Sequence, residues 1–162
     1  MGNKLANCRD AVDAIKRTEA IRVIAQSKFY YTEPVDFVDQ DWFFNAVLKI
    51  ETTLEPLALL SALQEIQVTA GRKSRGIRFG PRIIDLDIIF YDNIIFEHEH
   101  LVIPHPRMHK RRFVLLPICD IDPQVVHPGM GKNVSDLLLQ INDNDQEICC
   151  YPSRDFKKPI KL

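Results

Sequence analysis

The sequence is organised around one stretch, Gly80-Pro81-Arg82-Ile83-Ile84-Asp85-Leu86-Asp87-Ile88-Ile89-Phe90-Tyr91. The Gly-Pro pair marks a turn, and the run of Ile and aromatic residues after it predicts a buried strand. Asp85 and Asp87 interrupt that run. Because strand side chains alternate between faces, both carboxylates project from one face, roughly 6–7 Å apart at the backbone. Two like charges repel each other there, and a divalent cation relieves the repulsion.

The chemistry of this pair depends on its surroundings in the sequence. Oxygen ligands with no His or Cys beside them favour Mg²⁺ or Mn²⁺ over zinc. The alternative is that both carboxylates form salt bridges to Arg82 or neighbouring arginines. A loop at 71–82 carries basic residues and no acidic ones: Arg72, Lys73, Arg75, Arg78 and Arg82. Paired carboxylates beside guanidinium groups suit a nucleoside triphosphate, whose charge both a metal and arginines neutralise.

A second basic run, His109-Lys110-Arg111-Arg112, follows later in the chain. The sequence has no GxxxxGK[ST] motif, so this is not a P-loop protein, and side chains would have to hold the phosphates. The basic loop could also be a solvated surface turn.

Composition limits the functional classes. A chain of 162 residues predicts one domain, and 46% hydrophobic with 27% charged residues is typical of a globular protein. The net charge of −1 gives no overall basic field, so nucleic acid is not an expected partner. An RNA-binding ferredoxin-like domain is disfavoured because its aromatic sheet-face signature is missing. Without a signal peptide or a long apolar run, no membrane partner and a cytoplasmic location are expected. The four cysteines lack metal-ligand spacing, and the reduced cytoplasm is the default for them.

Hydrophobic periodicity predicts the order of the elements. It indicates a helix over 4–17, strands over 21–31 and 44–53, and a helix that opens at Pro56 and ends at Gly71. Further expectations are a return strand near Phe96, short helices over 112–119 and 134–141 with Asn133 as a cap, and a weak strand over 148–151. Residues 142–162 are expected to be a weakly structured tail. Paired strands between helices favour an α+β domain with a mainly antiparallel sheet.

A histidine, a pair of phenylalanines and an asparagine also stand out in the sequence. His105 lies between two prolines, where a histidine is usually structural, but near phosphates it could donate a hydrogen bond to an oxyanion. Phe43 and Phe44 have opposite strand parity, so one of them must leave the apolar face, and the outlier could stack on a planar ligand. Asn45 shares the face of Phe43, and an amide offers a donor and an acceptor to the edge of a heterocycle.

The sequence resembles the hydroxymethyl-dihydropterin pyrophosphokinase family of folate biosynthesis. The resemblance covers roughly 2–130 in the family's order and spacing. It is carried by the central Gly80–Ile88 block together with Phe29-Tyr30-Tyr31-Thr32-Glu33-Pro34, Phe43-Phe44-Asn45-Ala46-Val47, Gly71-Arg72, Ile103-Pro104-His105-Pro106-Arg107-Met108 and Arg112-Phe113-Val114-Leu115-Leu116-Pro117. The GPRxxDLD and PHPRM blocks are its most specific parts.

The resemblance implies transfer of diphosphate from ATP to the hydroxymethyl group of a reduced pterin, with release of AMP. It implies a ferredoxin-like α-β-α sandwich formed by a single domain over 1–162. Asp85 and Asp87 match ligands of two Mg²⁺ ions, and Asp85 also adjoins the substrate. The expected catalytic residues are Arg72, Arg82 and His105, and the ATP contacts are Arg72, Arg82, Ile88, His105 and Arg111. The pterin contacts are Thr32, Phe43, Asn45 and Phe113, and loops at 34–41 and 71–79 are expected to exclude water.

Several positions depart from the family pattern. The family ordinarily opens with an apolar strand and a Gly-Ser-Asn turn, whereas Met1-Gly2-Asn3-Lys4 resembles only the tail of that turn. Gln67 stands where glutamate is usual, and Ser74 and Phe79 replace an arginine and a tryptophan. The alternative function is therefore a truncated, catalytically impaired or nucleotide-binding-only relative. A monomer is expected, with dimerisation through an exposed sheet edge as the alternative.

Overall fold

The apolar spacing near the N-terminus forms a helix, as predicted, and the structure shows that Asn3 caps it. The computed structural model describes residues 3–34, 41–75, 83–142 and 147–152, with the side chains of 72–75 excepted. The Asn3 side chain accepts a hydrogen bond from the backbone N–H of Ala6 at 3.2 Å, which satisfies one free donor of the first turn. The buried stripe of this helix consists of Leu5, Cys8, Ala11, Val12 and Ile15.

Groups of strands separate the helices along the chain, and no parallel strand pair forms in the described part. The helices are α1 (Lys4–Lys16), α2 (Pro56–Arg75), α3 (Arg112–Ile121) and α4 (Val134–Leu139), with a 3₁₀ turn at Met108–Lys110. The strands are β1 (Ile21–Gln26), β2 (Phe29–Thr32), β3 (Phe43–Asn45), β4 (Leu48–Thr52), β5 (Phe96–His98), β6 (Leu101–Ile103), β7 (Val126–His127), β8 (Lys132–Asn133) and β9 (Ile148–Tyr151).

Strand pairing is antiparallel throughout the described residues. The sheets have the orders β1-β4, β3-β2-β9, β5-β6 and β7-β8. The α+β class and the antiparallel pairing are confirmed. The strand at 148–151 and the return strand near Phe96 are confirmed as β9 and β5, whereas the short β7–β8 pair carries no sequence signal strong enough to predict it.

Each of the two long predicted strands is divided in two. Residues 21–31 form β1 and β2, and residues 44–53 form β4 and part of β3. The pairing register shifts between Val23 and Ala25. At the division, Ser27 and Val47 bond to each other: Ser27 N–H donates to the Val47 carbonyl, and Val47 N–H donates to Ser27 Oγ, both at 2.9 Å. Irregularities of this kind change which side chains face the core.

The prediction that Gly71 ends the second helix is wrong, because α2 continues to Arg75. A glycine inside a helix costs about 1 kcal/mol relative to alanine, which neighbouring strong helix formers can outweigh.

The prediction of a regular strand at the carboxylate stretch is also wrong for its described part. Residues 84–90 belong to no strand. A strand exists only where a neighbouring backbone continues the ladder, and here the backbone finds other partners. Leu86 N–H donates to the side chain of Gln67 on α2 at 2.8 Å, and the Ile89 carbonyl accepts from His105 N–H at 2.9 Å. The turn at Gly80-Pro81 lies outside the described residues.

Two apolar clusters support the described elements. One joins α1, β1 and α2 to the carboxylate stretch and the β5–β6 hairpin through Ile15, Ile21, Leu59, Leu63, Ile88, Leu101 and Ile103. The other joins the 3₁₀ turn, α3 and α4 through Met108, Val114, Leu115, Ile118, Val134 and Leu137. Asn133 caps α4 as predicted, accepting from Asp136 N–H at 2.7 Å. None of the described helices is both long and apolar enough to cross a bilayer.

Candidate active site

Thr32 and Asn45 form the polar corner of the β2–β3 pair. Thr32 is opposite Phe43 in the pairing register, and Asn45 is opposite Tyr30. Asn45 Nδ2 donates to Thr32 Oγ1 at 2.7 Å, and Thr32 is only 1% exposed. A short hydrogen bond to a buried hydroxyl fixes the orientation of the amide, as a site that reads the edge of a ring requires.

Phe43 lies beside this corner and reaches solvent. It is 40% exposed, while Phe44 packs against Tyr31 at a ring-centroid distance of 4.8 Å. The prediction that one of the two phenylalanines leaves the apolar face is therefore confirmed, and Phe43 is the one. An exposed aromatic face beside a fixed amide can stack on a planar ligand.

Sequence reasoning missed Lys4 as a neighbour of Phe43. The Lys4 ammonium lies 4.5 Å from the centroid of the Phe43 ring. The sequence did contain a signal for this role. A lysine in the first turn of a helix opposes the helix dipole, so its presence indicates a role other than helix stability.

Asp85 and Asp87 are both exposed, whereas Leu86 is partly buried and Ile88 is only 7% exposed. The predicted alternation therefore holds locally although no ladder forms. The Gln67 side chain secures the backbone between the two carboxylates by accepting from Leu86 N–H. Gln67, which stands on α2 where glutamate is usual, thus supplies a neutral hydrogen-bond acceptor to this stretch.

His105 lies near Asp87, on a loop that bonds to the backbone of the carboxylate stretch at Ile89. Its Nδ1 accepts a hydrogen bond from Arg107 N–H at 3.2 Å, so the neutral ring carries its proton on Nε2. Burial lowers the pKa of His105, and the nearby charges of Arg111 and Arg107 lower it further, while Asp87 opposes them. At neutral pH the residue is therefore an uncharged donor rather than an imidazolium.

A cavity of about 270 Å³ brings Asp87, Ile88 and His105 together. The β5–β6 hairpin completes its wall with His98, Glu99, His100, Leu101 and Val102. The hairpin residues were not predicted as site residues. The sequence signal for them was weak, because only the spacing of two residues between His98 and His100 suggested that these side chains share a face. A larger cavity of about 460 Å³ between α1 and α2 includes none of the predicted site residues among its described walls.

Arg111 and Phe113 lie at the start of α3. The Arg111 guanidinium is 5.5 Å from the centroid of the Phe113 ring, within the range of a cation–π contact. Helix α3 packs against both β2 and β3. The elements that carry Phe113, Phe43 and Thr32 therefore adjoin one another.

Two predicted site residues are not placed. Arg82, the loop at 35–40 and residues 76–80 lie outside the described part of the chain, as does the side chain of Arg72. Much of the predicted C-terminal tail also lies outside it.

The donor set around Asp85 and Asp87 fits a magnesium ion. No group of three or more His, Cys, Asp or Glu side chains suited to a metal is formed within 3–34, 41–75, 83–142 and 147–152. Zinc in proteins ordinarily needs three or four such ligands. Mg²⁺ instead keeps several waters and takes one or two carboxylates together with substrate phosphates. Two exposed carboxylates in one stretch, of which Asp87 lines the cavity, satisfy that requirement.

Comparison with known sequences adds to this geometry. The profile of the 7,8-dihydro-6-hydroxymethylpterin-pyrophosphokinase (HPPK) family matches residues 1–123. A 2-amino-4-hydroxy-6-hydroxymethyldihydropteridine pyrophosphokinase from Methylorubrum extorquens is 41% identical over 147 residues, which cover 91% of each chain. The protein of that name from Bacillus subtilis is 40% identical over 125 residues, covering 77% of this chain and 74% of its own.

Longer relatives match as well. The folic acid synthesis protein fol1 of Pneumocystis carinii is 41% identical over 145 residues, covering 90% of this chain and 19% of its own length. The fol1 protein of Schizosaccharomyces pombe is 39% identical over 160 residues, covering 99% of this chain and 21% of its own. The chain thus spans about a fifth of the length of these two fungal relatives.

Proposed function

This chain belongs to the 7,8-dihydro-6-hydroxymethylpterin-pyrophosphokinase family, and from that membership we propose that it transfers diphosphate from ATP to 6-hydroxymethyl-7,8-dihydropterin. The products are AMP and the pterin diphosphate, an intermediate of tetrahydrofolate synthesis. ATP is the co-substrate of this family, and the reduced pterin is the acceptor. The alternative of a nucleotide-binding-only relative has no described feature in its favour.

The observation that carries the proposal is the grouping of Asp87, Ile88 and His105 around one cavity. A nucleotide needs an apolar wall for its base, a metal-binding carboxylate and donors for its phosphates. Ile88 offers the first, Asp87 the second and His105 Nε2–H the third. Arg107 N–H holds the other ring nitrogen, so the donor points in a fixed direction.

Asp85 and Asp87 would hold magnesium on the phosphate side of the cavity. The ion would supply positive charge that offsets the charge of the phosphates. Arg111 adds a fixed positive charge near His105, as its effect on the His105 pKa indicates. We assign Arg72 and Arg82 to the same phosphates on the strength of the family motif.

The pterin is assigned to the corner formed by Thr32 and Asn45. With Nδ2 bonded to Thr32, the Asn45 amide presents its oxygen and its second N–H to the ring edge of the pterin. Phe43 and Phe113 are the aromatic faces for stacking, carried by β3 and by α3, which packs on it.

In the reaction, the hydroxymethyl oxygen attacks the β-phosphorus in line. A new bond forms between that oxygen and the β-phosphorus, the bond from the β-phosphorus to the α,β-bridging oxygen breaks, and AMP leaves with the bridging oxygen. The hydroxyl proton passes to solvent. Phosphoryl-type transfers of this kind depend on positioning and charge neutralisation rather than on a strong base, which agrees with a site that offers a neutral histidine and arginines.

The test is turnover of the purified chain with ATP, Mg²⁺ and the reduced pterin. AMP and pterin diphosphate should form in equal amounts, and omission of either the pterin or Mg²⁺ should stop AMP formation. Protein that is folded by thermal melt yet forms no AMP would contradict the proposal. Calorimetry with a non-hydrolysable ATP analogue would then identify a relative that only binds nucleotide.

A further inference from the structure

Lys4 occupies a position that helix stability does not explain. It is the first residue of α1, directly after the cap Asn3. The N-terminus of a helix carries a partial positive charge, so acidic residues are favoured there and a lysine is not. The first turn of α1 contains no acidic residue that could offset it. A reason for this lysine has to come from contacts beyond its own helix.

The Lys4 ammonium reaches across to the segment that leads into β3. Its Nζ donates to the backbone carbonyls of Asp41 and Trp42, both at 2.8 Å. Hydrogen bonds from an ammonium are stronger than those between neutral groups. The Trp42 ring in turn stacks on buried Tyr31 of β2 at a centroid distance of 5.0 Å. The lysine therefore joins the start of α1 to a fixed point of the β2–β3 pair.

A second contact keeps α1 in register with the same strand. Cys8, one turn further along α1, bonds through Sγ to the carbonyl of Phe44 at 3.3 Å. Burial raises the pKa of Cys8 to about 11, so it is a neutral thiol. With two anchors on either side of Phe43, the Lys4 ammonium is held over the Phe43 ring rather than swinging in solvent.

We propose that Lys4 is a positioning residue for the acceptor site, which holds the ring of Phe43 in place for stacking on the pterin. The inference depends on the function proposed above. The ammonium lies 4.5 Å from the centroid of a ring that is 40% exposed. An exposed ring without such a contact samples several rotamers, and fixing it in advance removes an ordering cost from ligand binding.

Lys4 should affect the binding of the pterin and not the binding of the nucleotide. Lys4 touches the pterin side of the site through Phe43, while the nucleotide cavity lies around Ile88 and His105 and does not include Lys4 in its described wall. Exposed cation–π contacts correspond to roughly two- to fivefold in an equilibrium constant. Loss of the charge should weaken pterin binding by that factor.

The experiment compares Lys4→Gln, Lys4→Arg and a control, Lys16→Gln. The glutamine amide keeps donors for the Asp41 and Trp42 carbonyls but has no charge, whereas arginine keeps the charge. Lys16 is an exposed lysine in the last turn of the same helix. For each folded variant, calorimetry measures the Kd of the pterin in the presence of a non-hydrolysable ATP analogue, and the Kd of the analogue alone. Turnover of the parent protein is measured in parallel.

Lys4→Gln should raise the pterin Kd about two- to fivefold and leave the analogue Kd unchanged, with Lys4→Arg and Lys16→Gln close to the parent. In a Phe43→Leu background the same Lys4→Gln change should have no effect on pterin binding. The inference is overturned by an unchanged or lower pterin Kd in Lys4→Gln, by an equal loss of analogue binding, or by a loss that persists in Phe43→Leu. If the parent turns over while Lys4→Gln binds pterin normally, only the role of Lys4 fails. If the parent neither binds nor converts the pterin, the proposed function itself fails.

Discussion

Asn45 donates a hydrogen bond of 2.7 Å from Nδ2 to Oγ1 of Thr32 across the β2–β3 pair. Thr32 is 1% exposed, so its hydroxyl has little access to water. The bond determines which end of the Asn45 amide faces outward, and it connects a buried residue to one that a ligand can reach. Two short strands thereby present an ordered donor and acceptor at an exposed edge.

Thr32→Val should weaken pterin binding about fivefold and destabilise the fold by about 1 kcal/mol, because it removes the partner of Asn45 and leaves an amide free to rotate. Valine preserves the shape of threonine. Thr32→Ser, which keeps the hydroxyl, is the matched control and should bind the pterin more tightly than Thr32→Val. Pterin calorimetry and urea unfolding measure the two effects. Equal pterin affinity in both variants would show that the hydroxyl does not orient Asn45 for binding.

Asp87→Asn should lower kcat/KM by roughly a hundredfold or more, since a metal ligand contributes several kcal/mol of charge stabilisation. Higher Mg²⁺ should recover part of the loss. AMP formation across a Mg²⁺ titration is the measurement. Glu97→Gln is the control, because Glu97 is an exposed carboxylate on β5 outside the described cavity wall. Full activity of Asp87→Asn at low Mg²⁺ would contradict the metal assignment.

Gln67→Leu should raise the Mg²⁺ concentration needed for half-maximal activity several-fold, because Leu86 N–H loses its acceptor and the backbone between the carboxylates is less restrained. Gln67→Glu keeps an acceptor at the same place, so the backbone anchor should survive. A Mg²⁺ titration of both variants separates anchoring from charge. Should Gln67→Glu be impaired as strongly as Gln67→Leu, anchoring is not the role of Gln67.

Protonation of His127 should lower the stability of the fold at acidic pH. This imidazole is 8% exposed, and within the described residues its Nδ1 has no hydrogen-bond partner. Burial lowers the pKa of His127, and His109, whose ring centroid is 6.3 Å away, lowers it further. The folded state therefore binds the proton less readily than the unfolded state. The contribution of neutral His127 to the free energy of unfolding is complete above about pH 6.5. It is lost as the pH falls toward the lower pKa of His127 in the folded state.

His127→Leu tests this acid sensitivity. The variant should show a shallower decline of unfolding free energy between about pH 6.5 and pH 5, by up to about 1.4 kcal/mol per pH unit. Urea unfolding at a series of pH values provides the measurement. Identical slopes in the parent and His127→Leu would exclude His127 as the source.

Local signals predicted the helices well. Asn133 caps α4 as predicted, because a cap depends on residues within one turn. For α1 only the apolar spacing was predicted, and the structure adds Asn3 as its cap. The alternation of Asp85 and Asp87 with the more buried Leu86 and Ile88 also followed from the local pattern. The shared face of Asn45 and Phe43 was predictable for the same reason.

Non-local pairing explains what the sequence could not predict. The register shift near Val23 and the exchange between Ser27 and Val47 depend on a partner strand, so no pattern within 21–31 reveals them. The stretch at 84–90 has the composition of a strand, but its backbone bonds to α2 and to the His105 loop. The contact of Lys4 with Phe43 joins positions far apart in the chain, and only the folded backbone brings them together.

The exchange of hydrogen bonds between Ser27 and Val47 divides one hairpin into two halves. The β1–β4 half packs into the first apolar cluster, while the β2–β3 half carries Thr32, Phe43 and Asn45. Energetic effects of substitutions add when the sites share no partners. Changes that repack one half should therefore combine additively with changes in the other. Substitutions in the β2–β3 half that alter recognition of the acceptor substrate can then accumulate during evolution without a matching loss of thermodynamic stability.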